Sequence, residues 1–241
     1  MLIFALNYNP DMKYSDILLD LDDTLIDTIE NTRLTLTEIY DDYAFSRYFP
    51  SFHDFYTIYY ANVSHLWELY GRGQITKQTL QRERFIGPLN SIEEISEEQA
   101  LAINDDFIAR IMRKGVLVEG AKELLDYLHP RYRIHILSNG FTEMQYIKME
   151  SAGISSYFDK VILSDKVGVN KPHPDIFTYA LNEIEVKPEN IIMVGDNLFT
   201  DIGGAYNSGL DQIWYNPKNK PSEDFEPTHT VARLEEIRNI L

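Results

Sequence analysis

Apolar positions in this chain follow two regimes. Residues 16–25 open with the run Ile17-Leu-Leu19, the pattern of a strand buried on both faces, and close on Asp20-Leu-Asp-Asp-Thr-Leu25. From Leu25 onward the spacing turns helical, with hardly any strand-like alternation. Leu25, Ile29, Leu36, Ile39 and Tyr43 fit one helical face. Phe52, Phe55, Tyr59, Val63, Leu66 and Tyr70 recur at threes and fours, giving a second helix that stops at Gly71 and Gly73. A third, shorter helix is expected over 76–85. Ser96-Glu-Glu-Gln99 reads as a capping box opening a fourth, with Leu101, Phe107, Ile108 and Ile111 inward.

Beyond Gly120 a helix to Leu128 leads into strands and helices in alternation, the signature of a parallel sheet with right-handed crossovers. Strands are expected at 133–137, 160–163, 191–194 and 212–215, and a short one near Thr230 before a last helix. Helices are expected at 141–152, 174–184 and 201–207, the middle one started by Pro174. The fold class is therefore α/β, with a parallel sheet core carrying helices on both faces. Residues 1–27 and 114–241 form that core, and residues 28–113 an inserted helical domain. An insertion that leaves and rejoins at the carboxyl edge of the sheet is expected to act as a lid.

Composition narrows what this fold does. With 241 residues and 44% hydrophobic content, a large core is available. A net charge of −16 argues against a nucleic-acid polymer or an anionic membrane surface as partner, but not against a small anionic substrate held by a local metal ion. There is no cysteine, which excludes disulfides, thiol catalysis and cysteine-ligated zinc, and the six histidines lack metal-ligand spacing. No signal-peptide pattern opens the chain, and a cytoplasmic protein, monomer or dimer, is expected. Residues 1–11 read as a dispensable extension, or Met12 as the true start.

The candidate chemistry sits where strands end, the place open α/β sheets use for their sites. Asp20 follows the first strand, with Asp22, Asp23 and Thr24 beside it. Clustered carboxylates repel one another, and a divalent cation bound through oxygen neutralises them; a solvated turn capped by Thr24 is the plainer alternative. Ser138-Asn-Gly140 offers a hydroxyl and backbone N–H groups to an anionic oxygen. In Val169-Asn-Lys-Pro-His-Pro174 the following proline favours an extended Lys171 that can point back across the site. Gly195-Asp-Asn-Leu-Phe-Thr-Asp201 places two acids around the start of a helix. Each stretch alone is an ordinary turn or cap; all of them at successive strand ends converge on one crevice.

In this order the four stretches resemble those of the haloacid dehalogenase superfamily, and among its members the phosphatases with a Rossmann-like core and a helical cap domain inserted after the first motif. Three further stretches are Trp67-Glu-Leu-Tyr-Gly-Arg-Gly-Gln-Ile-Thr76, Ser138-Asn-Gly-Phe-Thr142 and Val167-Gly-Val-Asn-Lys-Pro172. They resemble the bacterial branch that dephosphorylates pyrimidine nucleoside monophosphates. The resemblance implies that Asp20 attacks phosphorus to form an aspartyl-phosphate, and that Asp22 protonates the leaving alkoxide and then deprotonates the attacking water. It implies Mg²⁺ held by Asp20, the Asp22 carbonyl and Asp196, with Asp201 as an outer-shell or additional ligand. It further implies phosphoryl contacts from Ser138, the Asn139 N–H and Lys171, with Thr24 grouped among them and orienting the loop.

Dehalogenases proper carry a non-acidic residue at the place of Asp22, because a halide leaves unprotonated, so the acid favours phosphate chemistry. Glu119-Gly-Ala121 departs from the pattern of many relatives, which have proline before the glycine. Candidates for recognising the base or sugar-phosphate are Trp67, Tyr70, Arg72 and Arg84, although aromatics at helical spacing also serve as core. The expected substrate is a small phosphorylated metabolite, a nucleoside 5′-monophosphate. The alternatives are a phosphosugar phosphatase, a phosphoglucomutase-like enzyme, and a silent protein that binds a phosphorylated ligand.

Overall fold

The computed structural model describes residues 12–222 and 224–241. The expectations for residues 1–11 lie outside the described residues. The chain divides into two compact units. One takes the described residues up to Thr28 together with Gly115–Leu241, and the other is Ile29–Lys114.

The first unit is built on six parallel strands: β1 (Asp16–Leu19), β2 (Arg133–Ser138), β3 (Lys160–Leu163), β4 (Ile191–Gly195), β5 (Asp211–Tyr215) and β6 (His229–Val231). Their order across the sheet is β3-β2-β1-β4-β5-β6. β1 lies inside the sheet, with Asp16 opposite Arg133 on one side and Ile191 on the other. Its run of apolar residues is explained by burial on both faces. Ile17 and Leu19 point into one core layer with Ile136, Val194 and Ile213. Leu18 points into the other with Leu137, Ile162 and Met193. The period of two along a strand thus feeds two cores at once.

The helices of this unit cover those layers. In chain order they follow α1 to α4 of the second unit, given below. They are α5 (Ala121–Leu128), α6 (Thr142–Ser151), the short α7 (Ser164–Val167), α8 (Pro174–Ile184) and the short α9 (Gly204–Asn207). Leu124, Leu125 and Leu128 of α5 and Met149 of α6 belong to the first layer. Ile176, Phe177, Ala180 and Ile184 of α8 belong to the second.

The second unit is helical: α1 (Thr28–Asp42), α2 (Phe52–Gly71), α3 (Lys77–Leu89) and α4 (Glu97–Ile111). Its interior is aromatic. The ring of Tyr59 lies 5.1 Å from that of Phe85 and 5.6 Å from that of Phe107, with Phe55 tilted against it at 6.3 Å. Three helices start on side-chain caps: Ser51 accepts from Asp54 N, Thr76 from Thr79 N, and Ser96 from Gln99 N. Gln99 returns the bond to Ser96 N at 2.8 Å, completing the capping box.

Several expectations need correction. Leu25 is not helical: Asp23 takes a positive φ of 63°, the backbone folds back so that Leu25 N and Ile26 N both reach Leu21 O, and α1 starts only at Thr28. Ile29 and Tyr43 are exposed, and the buried residues of α1 are Asn31, Thr35, Leu36 and Ile39. In α4 the buried stripe is Ala100, Ile103, Asn104, Phe107 and Ile111, with Leu101 and Ile108 only half-buried. Small Ala100 and polar Asn104 occupy inward places that a search for large apolar residues passes over. The last helix is a 3₁₀ segment, Leu234–Asn239. Among the described residues no helix is long and apolar enough to cross a membrane.

Candidate active site

Because β1, β2 and β4 are neighbours, whatever follows each of them meets at one end of the sheet. Asp20 follows β1, Ser138 ends β2, and Asp196 follows β4. Lys171 reaches the same place from the loop after α7. Its side chain is buried, and Nζ donates to Asp20 Oδ1 at 2.6 Å and to the Leu137 carbonyl at 2.6 Å, and pairs with Asp201 Oδ1 at 2.7 Å. An ammonium has three N–H groups, and all three are engaged. Asn139 clasps the lysine's backbone: its Oδ1 accepts from Lys171 N at 2.8 Å and its Nδ2 donates to Lys171 O at 3.0 Å. The Lys171–Pro172 peptide is cis.

Opposite the lysine stand three acids. Asp20, Asp196 and Asp201 each bring a carboxylate oxygen within 4.8 Å of the others. Asp201 lies in a widened, π-helical turn, Leu198–Gly203, where Ile202 N reaches back five residues to Asn197 O, and this turn replaces the first part of the expected helix at 201–207. Asn197 N donates to Asp201 Oδ2 at 3.0 Å. A Cβ at position 195 would fall 2.4 Å from that same oxygen, so Gly195 is what admits the carboxylate. Thr24, grouped above with phosphate-binding residues, is wholly buried, and its hydroxyl donates to Asp196 Oδ1 at 3.2 Å, tying the loop after β1 to the acid after β4. At the start of α1, Thr28 N donates to Asp23 Oδ1 at 3.0 Å, while the Thr24 hydroxyl is turned to Asp196.

Three carboxylates against one ammonium leave a surplus of negative charge. Burial, then the charges of Asp201 and Asp23, push Asp196 up to about 7. Burial raises Asp20 well above the usual carboxylate range; Lys171 opposes the rise, and Asp201 and Asp196 add to it. Burial alone would lower Lys171, but Asp20 and Asp201 outweigh it and hold the ammonium charged. A donor set made only of oxygens, with charge left over, fits a hard divalent cation such as Mg²⁺.

Asp22 is held from the other side. Lys148 Nζ lies 2.6 Å from its Oδ1 and Gln145 Nε2 donates to its Oδ2 at 2.6 Å. Both partners come from α6 and both are buried. Sequence reasoning missed these two residues. The signal was present: in a helix whose inward face includes Met144 and Met149, positions 145 and 148 are also inward and polar. In the helical unit, Trp67 packs edge-on to Tyr70 at 5.8 Å, Arg72 pairs with Glu68 at the surface, and Arg84 is buried with its guanidinium over the Phe107 ring.

The model of haloacid dehalogenase-like hydrolases matches residues 17–209, from β1 through the acids that follow β4. The chain belongs to that family. Being a haloacid dehalogenase-like hydrolase, it is an enzyme, and several relatives match over nearly the whole length. Pyrimidine 5′-nucleotidase YjjG of Escherichia coli is 33% identical over 95% of this chain and 99% of its own. Pyrimidine 5′-nucleotidase PynA of Streptococcus pneumoniae is 28% identical over 95% and 96%. The magnesium-bound crystal structure of YfnB from Bacillus subtilis superposes with a TM-score of 0.83 at 26% identity, covering 95% of this chain and 99% of that one.

Proposed function

We propose that this haloacid dehalogenase-like hydrolase is a Mg²⁺-dependent phosphomonoesterase acting through an aspartyl-phosphate on Asp20, with nucleoside 5′-monophosphates, pyrimidines among them, as substrates. The observation that carries the reading is the convergence of Asp20, Asp22, Ser138, Lys171, Asp196 and Asp201 at one sheet edge, with Lys171 Nζ 2.6 Å from Asp20 Oδ1. The nucleotide preference rests on the similarity to YjjG and PynA and on the three further sequence stretches.

Lys171 and its clasp on Asn139 fix the Asp20 carboxylate in place, which removes orientational freedom before reaction. An Asp20 oxygen attacks phosphorus and the bond from phosphorus to the ester oxygen breaks, while Asp22 passes a proton to the leaving alkoxide. Water then attacks the aspartyl-phosphate, Asp22 takes its proton, the bond from phosphorus to Asp20 breaks, and inorganic phosphate is released. Ser138 Oγ–H and the Asn139 N–H hold phosphoryl oxygens. Asp20, Asp196, Asp201 and the Asp22 carbonyl would hold Mg²⁺, which offsets repulsion between carboxylate and phosphate when bound.

The test is phosphate release from nucleoside monophosphates, sugar phosphates and p-nitrophenyl phosphate, with Mg²⁺ or with chelator, for wild type and Asp20→Asn. Mg²⁺-dependent release from pyrimidine nucleoside monophosphates is expected, lowered at least about 10⁴-fold in the variant. Release chiefly from sugar phosphates would keep the mechanism and replace the substrate. Activity that survives Asp20→Asn would overturn the mechanism.

A further inference from the structure

Two side chains of α6 have no part in the chemistry described so far, yet they bond to residues that do. Gln145 is wholly buried, and its Nε2 donates to Asp22 Oδ2 at 2.6 Å and to Ser138 Oγ at 2.8 Å. A primary amide has two N–H groups, so both are committed and the amide cannot be turned over. Lys148, also buried, holds the second oxygen of Asp22. The arrangement is poor as a device for stability. Among the described residues Gln145 Oε1 is buried with no hydrogen-bond partner, and a buried ammonium on a helix face costs free energy that an apolar residue would not. Room for the amide depends on the neighbouring glycine: a Cβ at Gly140 would lie 2.0 Å from Gln145 Nε2.

We propose that Gln145 and Lys148 are positioning residues that fix the Asp22 carboxylate beside Ser138 and orient the Ser138 hydroxyl toward the phosphoryl group. The second half follows from counting. Ser138 Oγ accepts from Gly140 N at 3.1 Å as well as from Gln145, so both its lone pairs are occupied and its own hydrogen is left to be donated. One amide group therefore sets the proton donor and a phosphoryl contact at a fixed separation. Lys148 stops the Asp22 carboxylate from rotating about that single anchor. The inference rests on the proposed roles of Asp22 and Ser138.

The test compares kcat/KM for an alkyl phosphate, the best nucleoside monophosphate, with that for p-nitrophenyl phosphate. An alkoxide needs a proton as it leaves, whereas p-nitrophenolate needs little help, so misplacing Asp22 harms the alkyl ester selectively. Losses common to both esters, from a disturbed Ser138 or a partly unfolded sample, cancel in the ratio. Lys148→Met and Gln145→Leu are each expected to lower the alkyl-to-aryl ratio at least about tenfold, as Asp22→Asn does, and to add little when combined with Asp22→Asn. Lys148→Arg, which keeps a cation there, is expected to restore part of the ratio. Equal losses on both esters, or unchanged ratios beside a clear drop in Asp22→Asn, would overturn the positioning of Asp22 while leaving the phosphatase reading intact. A ratio unmoved even by Asp22→Asn, or activity surviving Asp20→Asn, would remove the reading on which they rest.

Discussion

The aspartates at the two ends of β1 are pushed in opposite directions. Asp20, at the carboxyl end, is raised by burial and by its acidic neighbours. Asp16 is equally out of water, and burial alone would raise it too. Hydrogen bonding to His135, Ser15 and Arg133 more than offsets this, and holds its carboxyl below the usual range. The consequence for stability has a definite sign. A carboxylate depressed in the folded state contributes stability that is present above its unfolded value, 3.8, and is lost as pH falls through the folded value. Asp16→Asn is therefore expected to cost stability at neutral pH and to flatten the acid side of the stability curve, measured as urea midpoints from about pH 6 down to about pH 2. A variant curve parallel to that of the wild type would show that Asp16 does not carry the acid sensitivity.

How far each element was legible depended on how its information is stored. β1 could be read because a strand buried on both faces needs an unbroken apolar run, and acids directly after it are costly without a purpose. The start of α4 could be read because a capping box is local in sequence; Ser96→Ala is expected to cost about 1 kcal/mol, checked by chemical denaturation. The turn after β1 could not be read, since its shape comes from Asp23 in a left-handed conformation that apolar spacing does not reveal. The π-helical turn that holds Asp201 was missed for a similar reason: acids at 196 and 201 look like caps until the extra residue per turn is seen. On α6 the signal existed but ran against habit, because Gln145 and Lys148 on an inward face read as errors in amphipathicity unless something polar awaits them.

Across the chain, negative charge is in excess both overall, at −16, and inside the site, where one lysine faces three acids. A cation that binds the folded protein and not the unfolded one raises the melting temperature by mass action. Addition of Mg²⁺ to chelator-treated protein is expected to raise Tm in the wild type and to leave Asp196→Asn with Asp201→Asn nearly unmoved, followed by calorimetry; equal shifts in both proteins would place the stabilising ion elsewhere. The sheet that carries these acids is also discontinuous in sequence, with Ile29–Lys114 standing between β1 and the strands that flank it. Synthesis runs from the amino end, so β1 and Asp20 leave the ribosome first, and Lys171 comes 151 positions later. Until Arg133 is reached the nascent chain carries an apolar strand without neighbours, and until Lys171 an acid without its counter-ion. The helical segment, made in the interval, has a core of its own to collapse around, and the proposed nucleophile, though translated early, is set beside its lysine only after most of the chain has been made.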